Sequence, residues 1–382
     1  MNVSFEQGPI RPPSEAKSLL IRVTRNCPWN KCAFCRCYRG TKFEIRSIED
    51  VKEDIRCARR IADDIRSLSW KMGEGGSVSR AVVAGIFANE ALFNDSYRSI
   101  AAWLYFGGES VFLQDANSLV VKTDDLAQVI SFIKEAFPSV TRITSYCRSK
   151  TAARKSREEF ETLRDAGLSR VHIGMETGYD PLLAFIRKGV TAAEHVAGGR
   201  NVVEAGISLS EYIMPGLGGE RWSREHAVET ARVMNEINPD FIRLRSVQAI
   251  PGTELYRMMD EGQFIPLSDD DMVREIRLFI ENLDGIESTV VSDHILNLLE
   301  ELEGKLPEDR ERLLGIIDRY CDMPEEKRRV YQLGRRRGIY RRLDDLDERR
   351  TYDALKDIVD RYRNTEPDAF ERDLKAIMYN YI

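Results

Sequence analysis

The chain has 382 residues, 42% of them hydrophobic, with 57 Lys and Arg against 63 Asp and Glu and a formal net charge of -6. That apolar share suffices to bury a sizeable core, which excludes dominant disorder and allows one large α/β barrel or two smaller domains. No global positive charge advertises a nucleic-acid partner and no stretch is long and uncharged enough to span a bilayer. The N-terminal MNVSFEQGPIRPPSEAK lacks the apolar core of a leader, so a cytoplasmic protein is expected.

In chain order, a Pro-rich lead-in (residues 1–18, with Pro9, Pro12 and Pro13) precedes the apolar run Leu19 to Thr24, expected as a buried strand. A cysteine-rich loop follows it directly. Ser47 then caps an amphipathic helix expected to reach about Ser67, with acids early and bases late. After a Gly/Ser loop at Gly73 to Ser77, residues 78–106 carry helical spacing and end at the glycine cap Gly107-Gly108. Further strands are expected at Val111 to Gln114, Thr141 to Ser145, Arg170 to Gly174, Ile207 to Met214 and Phe241 to Arg245. Helical stretches 123–137, 152–166, 180–205 and 222–237 separate them.

Six strands alternating with helices call for a parallel sheet with helices outside, because parallel strands need crossover connections. The fold class is therefore α/β, a partial (β/α)6 TIM-type barrel over residues 19–265. From about Ser268 strands give way to helices, apart from a possible strand at Thr289 to Ser292, so residues 266–382 form a helical C-terminal region. In such a barrel the functional groups gather at the C-terminal ends of the strands.

Of seven cysteines, Cys27, Cys32, Cys35 and Cys37 lie within one short segment, while Cys57, Cys147 and Cys321 are scattered and read as buried small hydrophobes. Such clustering in an unsecreted chain points to metal rather than disulfides. Cys27-Pro-Trp-Asn-Lys-Cys32-Ala-Phe-Cys35 places three thiols close enough to grip three irons of a four-iron cube, leaving the fourth iron open to a small-molecule ligand. A zinc knuckle using Cys37 as a fourth ligand is the alternative. Two ligands separated by one residue suit a tetrahedral site poorly, and Cys37 is read as a bystander.

At this loop the sequence resembles the radical S-adenosylmethionine (SAM) superfamily, in which three cysteines behind the first strand bind a [4Fe-4S] cluster and an aromatic residue, here Phe34, precedes the third. The Cys-x4-Cys-x2-Cys spacing is a variant, one residue longer between the first two cysteines than the commonest form. The likeness is to the group containing the Elongator catalytic subunit, the tRNA methylthiotransferases and the oxygen-independent coproporphyrinogen oxidases.

The resemblance implies bound SAM and places its contacts at the strand ends: Gln114, Asp115 and Asn117 after the second strand, Ser145 after the third, and Glu176 with Lys188 after the fourth. Asp115 is preferred over Glu109 of Gly107-Gly108-Glu109, which lies before its strand. The run from Glu211 to Glu220 resembles a stretch of the coproporphyrinogen group that contacts SAM, which nominates Glu211 and Gly216. Arg243 and Arg245 share one face of the sixth strand, where Arg245 could meet a carboxylate or either could simply be ion-paired. Asp293 and His294 are the candidate catalytic pair, as proton donor or substrate contact, with a capping Ser-Asp and an incidental histidine as the alternative.

The expected function is reductive cleavage of SAM to a 5'-deoxyadenosyl radical that takes hydrogen from a small-molecule substrate, with an electron donor such as flavodoxin or ferredoxin. The alternative is a non-catalytic iron–sulfur or cofactor-carrier protein resembling a haem chaperone. The Arg-dense segment 327–350 could contact RNA, but the acids following it favour a solvated helical face laced with ion pairs.

Overall fold

The computed structural model describes residues 3–89, 94–362 and 369–379. Parts of the expected helices within 78–106 and toward Ile382 fall outside the described residues. The chain divides into two compact units. The first comprises Met1–Asn30, Tyr38–Ile173 and Ala197–Leu209; the second comprises Lys31–Cys37, Gly174–Val196 and Ser210–Ile382. Residues 210–265 and the whole C-terminal region thus share one unit.

All six expected strands form. They are β1 (Leu19–Arg22), continued after one residue by β2 (Thr24–Arg25), then β4 (Ser110–Gln114), β5 (Arg142–Cys147), β6 (Leu168–Glu176), β7 (Ser208–Ile213) and β8 (Phe241–Leu244); β3 (Glu44–Ile45) pairs antiparallel with β2. The possible strand near 290 is present as β9 (Thr289–Val291), and β10 (Gly304–Lys305) adds an antiparallel edge. One sheet has the order β1-β4-β5-β6-β7-β8-β9-β10. Within the first unit β1/β4, β4/β5 and β5/β6 are parallel, and within the second so are β7/β8 and β8/β9. The fold is α/β with a mostly parallel sheet.

The local reasons are those that the residue pattern anticipates. Leu19, Leu20 and Ile21 are all buried, as a parallel strand covered on both faces requires. Ser47 accepts from the Asp50 N–H at 3.1 Å and starts the helix Ile48–Lys71. Ser156 and Glu159 form a reciprocal capping box on Arg157–Ala166. The helix Asp95–Tyr105 ends where the Gly108 N–H returns to the Trp103 carbonyl at 3.0 Å. The short crossovers bring the strand ends to the residues that matter below.

Candidate functional site

In the first unit, buried Asp115 anchors the chain just ahead of Cys27. Its Oδ2 accepts from Arg22 Nε at 2.9 Å, from Arg22 Nη2 at 2.5 Å and from the Asn26 N–H at 2.9 Å. Glu6 of the lead-in bridges Arg22 and Arg25 at 2.9 and 2.6 Å. Asn26 and Asn30 both take left-handed backbone (φ 70° and 49°), a conformation asparagine tolerates better than most residues. These turns curl the loop so that the Asn30 N–H points to Cys27 Sγ at 3.4 Å.

The remaining cysteines of the loop belong to the second unit. Ala33 is fully buried and is pinned on both sides, its N–H donating to the Ile186 carbonyl at 2.8 Å and its carbonyl accepting from Leu255 at 2.9 Å. Cys32 and Cys35 flank this anchor, with the Cys35 N–H on the Cys32 carbonyl at 3.2 Å. Phe34 lies 5.8 Å from Lys188 Nζ. Cys37, expected as a bystander to the metal, sits against Cys35. A hydrogen bond from the Cys35 thiol, with Arg245 and Arg36 nearby, pulls Cys37 down to about 6 against its burial. No disulfide links any of the seven cysteines.

At the C-terminal ends of β6 and β7 the second unit gathers Glu176, Lys188 and Glu211. Glu176 closes β6 in the left-handed region (φ 68°), which turns its side chain onto Lys188 at 2.8 Å. Gly174 makes room for this pair: a Cβ there would lie 2.3 Å from Glu176 Oε1. Glu211 is completely buried, and neither carboxylate oxygen has a hydrogen-bond partner. Burial pushes its carboxyl well above the usual range; Lys188 opposes the shift and Glu176 adds to it. A buried acid without a partner is costly unless something else completes it, so the carboxyl of Glu211 is suited to receive a ligand's donor.

Other expected contacts are engaged by the protein itself. Gln114 accepts from Gly8 N at 2.7 Å and donates to the Gly8 and Ile10 carbonyls at 3.0 and 2.7 Å, clamping the lead-in. Asn117 joins Thr151 and the Arg148 N–H at 2.9 and 3.0 Å. Ser145 donates to backbone carbonyls inside the sheet. These three and Asp115 Oδ2 thus help to hold the structure together, while buried Asp115 Oδ1 has no hydrogen-bond partner. Glu109 is exposed at the opposite end of its strand.

Gly216 is needed by its backbone, with φ 82° and a Cβ position 2.7 Å from the tip of Met272, and its N–H donates to Glu275 at 2.6 Å. Asp293 is the counter-ion of buried Arg243 at 2.7 Å. His294 is held down to about 4 by burial and by Arg245, so the imidazole is neutral near pH 7 and supplies no cationic acid. Arg245 is exposed and has no ion pair among the described residues.

A buried group escaped the sequence reading. His226 accepts from the Thr177 hydroxyl at 2.8 Å and donates to the Met214 carbonyl at 3.1 Å, and burial holds it down to about 4. Glu275, pushed up to about 7 by burial, accepts from Ser223 at 2.6 Å as well as from Gly216. Together they brace the loop after β7. The Arg-dense segment is also less solvated than expected: Arg335 pairs with Glu300 at 3.0 Å and Arg336 with Asp269 at 2.6 Å, both arginines almost fully buried.

Among the described residues, no three His, Cys, Asp or Glu side chains are gathered as a ready metal cage, and no helix is long and apolar enough to cross a membrane. Three thiols on one loop with no histidine among them would nonetheless fit an iron–sulfur cluster.

Residues 95–231 match the family model of the radical SAM superfamily. Over that segment the chain is similar to the radical SAM domain. It is 25% identical over 120 residues to the tRNA uridine(34) acetyltransferase of Methanocaldococcus jannaschii, covering 31% of this chain and 22% of that protein. The chain thus spans less than a quarter of that curated relative's length. Among solved structures, the archaeal Methanocaldococcus infernus Elp3 with residues 1–46 deleted aligns over 44% of each chain at 16% identity and TM-score 0.37. Coproporphyrinogen III oxidase (HemN) of Escherichia coli aligns over 66% of this chain and 50% of its own at 14% identity and TM-score 0.40.

Proposed function

We propose that this chain acts as a cytoplasmic enzyme that holds a [4Fe-4S] cluster on Cys27, Cys32 and Cys35, binds SAM at the ends of β6 and β7, and abstracts hydrogen from a small molecule. The observation that carries the reading is buried, unpartnered Glu211 beside Lys188 and Glu176, in the same unit as the Cys32–Cys35 segment. When bound, the cluster and SAM supply an electron and a 5'-deoxyadenosyl radical, the hard chemistry that a cofactor contributes. The chain's own residues supply the rest. Glu211 and Glu176 offer carboxylates to an ammonium or ribose hydroxyls, and Lys188 offers a cation to a carboxylate, all as charge-assisted bonds. Asp115, through Arg22 and Asn26, positions the loop. An electron donor such as flavodoxin or ferredoxin completes the system.

The deciding experiment is formation of 5'-deoxyadenosine by anaerobically reconstituted, dithionite-reduced protein. Its appearance in proportion to loaded cluster supports the enzyme. A reducible cluster that yields none would transfer the assignment to the non-catalytic carrier.

Two substitutions probe the supporting geometry. Gly174→Ala is expected to drive the Glu176 carboxylate off Lys188 while leaving the backbone in place, since the nearest atom is the end of a flexible side chain. Equilibrium dialysis should show SAM binding about tenfold weaker, the worth of one charge-assisted bond. Asp115→Asn is expected to cost about 3 kcal/mol in urea denaturation, because Arg22 loses its buried counter-ion.

A further inference from the structure

The second unit encloses a cavity of 610 Å3 that begins where the strand-end site stops. One wall is Ser246 to Ala249, directly after Arg245; another is Leu296, whose N–H points to His294 Nδ1 at 3.4 Å. The far side is built by the helices Glu325–Arg336 and Ala369–Tyr379 of the C-terminal region. The Tyr379 hydroxyl donates to the Ala249 carbonyl at 3.2 Å and fastens the last helix over the strand-end segment. The volume is that of a small-molecule site, roughly 300–1,000 Å3.

The lining has an apolar body and a lysine with no ion pair among the described residues, while Arg372, its other cation outside the helix Glu325–Arg336, is exposed and engaged in a contact of its own. Val247, Phe264, Leu267, Met272, Leu374 and Met378 supply the apolar surface. The arginines of the helix Glu325–Arg336 that reach the cavity are neutralised within it: Arg328 by Asp270 at 2.9 Å, Arg329 by Glu325 at 2.8 Å and Arg336 by Asp269 at 2.6 Å. Lys375, half-buried between Leu374 and Met378 in sequence, has no ion pair among the described residues. Glu220, which lines the cavity and has no ion pair among the described residues, is exposed and stays hydrated.

We propose that this cavity takes the reaction's substrate, a small molecule with an apolar body and a single carboxylate or phosphate that pairs with Lys375. The proposal rests on the radical-enzyme reading for the word substrate, while the binding it predicts does not. The C-terminal helices thereby acquire a role, forming the chamber that the barrel strands leave open beside Arg245 and His294.

The test is isothermal titration of the full chain, without reductant or SAM, against 4-phenylbutyrate, 4-phenylbutyl phosphate and neutral 4-phenylbutanamide. At least one anion should bind about tenfold or more tighter than the amide. Which anion binds better distinguishes a carboxylate from a phosphate substrate. Lys375→Gln should erase the preference, Lys375→Arg should keep it, and Met378→Trp should weaken all three probes by filling the cavity, with melting temperatures confirming that each variant folds. Equal binding of anions and amide, a preference that survives Lys375→Gln, or no heat from any probe at millimolar concentration would overturn the proposal. Because no SAM cleavage is involved, failure to form 5'-deoxyadenosine leaves this titration standing, and failure of the titration leaves the radical chemistry standing.

Discussion

Alanine at Cys27, Cys32 or Cys35 is expected to abolish cluster loading and to lower 5'-deoxyadenosine formation by at least about a thousandfold, because a catalytic assembly is lost as a unit. Alanine at Cys37 should leave both within about threefold of the parent, since three thiols suffice to leave one iron open. The contrast matters because Cys37 packs against Cys35 and is pulled down to about 6, which makes it look the more reactive thiol. Iron and sulfide content, with an electron paramagnetic resonance signal after reduction, reads the outcome. A zinc knuckle makes the opposite forecast: four thiols are required, Cys37→Ala loses the metal, and the purified protein holds zinc without a reducible centre.

The strands are legible because a parallel strand buried on both faces leaves a short apolar run that needs no partner to be noticed; Leu19 to Ile21 and Val111 to Leu113 are such runs. The two residues of β10, Gly304 and Lys305, carry no pattern and join the sheet only because β9 offers an edge. At the site, the polar residues after β4 and β5 stand at strand ends as their spacing implies, but their partners are distant in sequence. Nothing local to Gln114 signals that the backbone at Gly8 and Ile10, more than a hundred positions earlier, folds back to take its amide. Similarly, His226 and Glu275 sit in amphipathic helices where a polar residue reads as solvent-facing, and only the docking of the helix Asp269–Glu281 on the loop after β7 buries them. Sequence leaves Arg243 open between ligand and ion pair, and Asp293 closes the choice. Long-range pairing decides such cases, and spacing along one chain does not encode it.

Glu211 offers the sharpest separation of binding from folding. Its carboxyl is raised by burial, so the folded chain keeps a proton that the unfolded chain gives up above the ordinary value of 4.5. Unfolding then releases a proton, and stability without ligand falls as pH rises from about 4.5. Glu275 adds the same slope between 4.5 and about 7. Glu211→Leu removes the cost of a buried acid that nothing completes, and is expected to raise the stability of the unliganded chain by about 2 kcal/mol at pH 8. Glu211→Gln should flatten the pH dependence with a smaller gain. Both should weaken SAM binding at least about thirtyfold, because the ammonium or hydroxyl that would complete the carboxylate loses a charged acceptor. A residue retained for packing would do the reverse, with melting temperature falling alongside affinity. A Leu variant that melts higher and binds SAM poorly can only mean that the fold tolerates this carboxylate at a loss, and that the loss is made good when the ligand arrives.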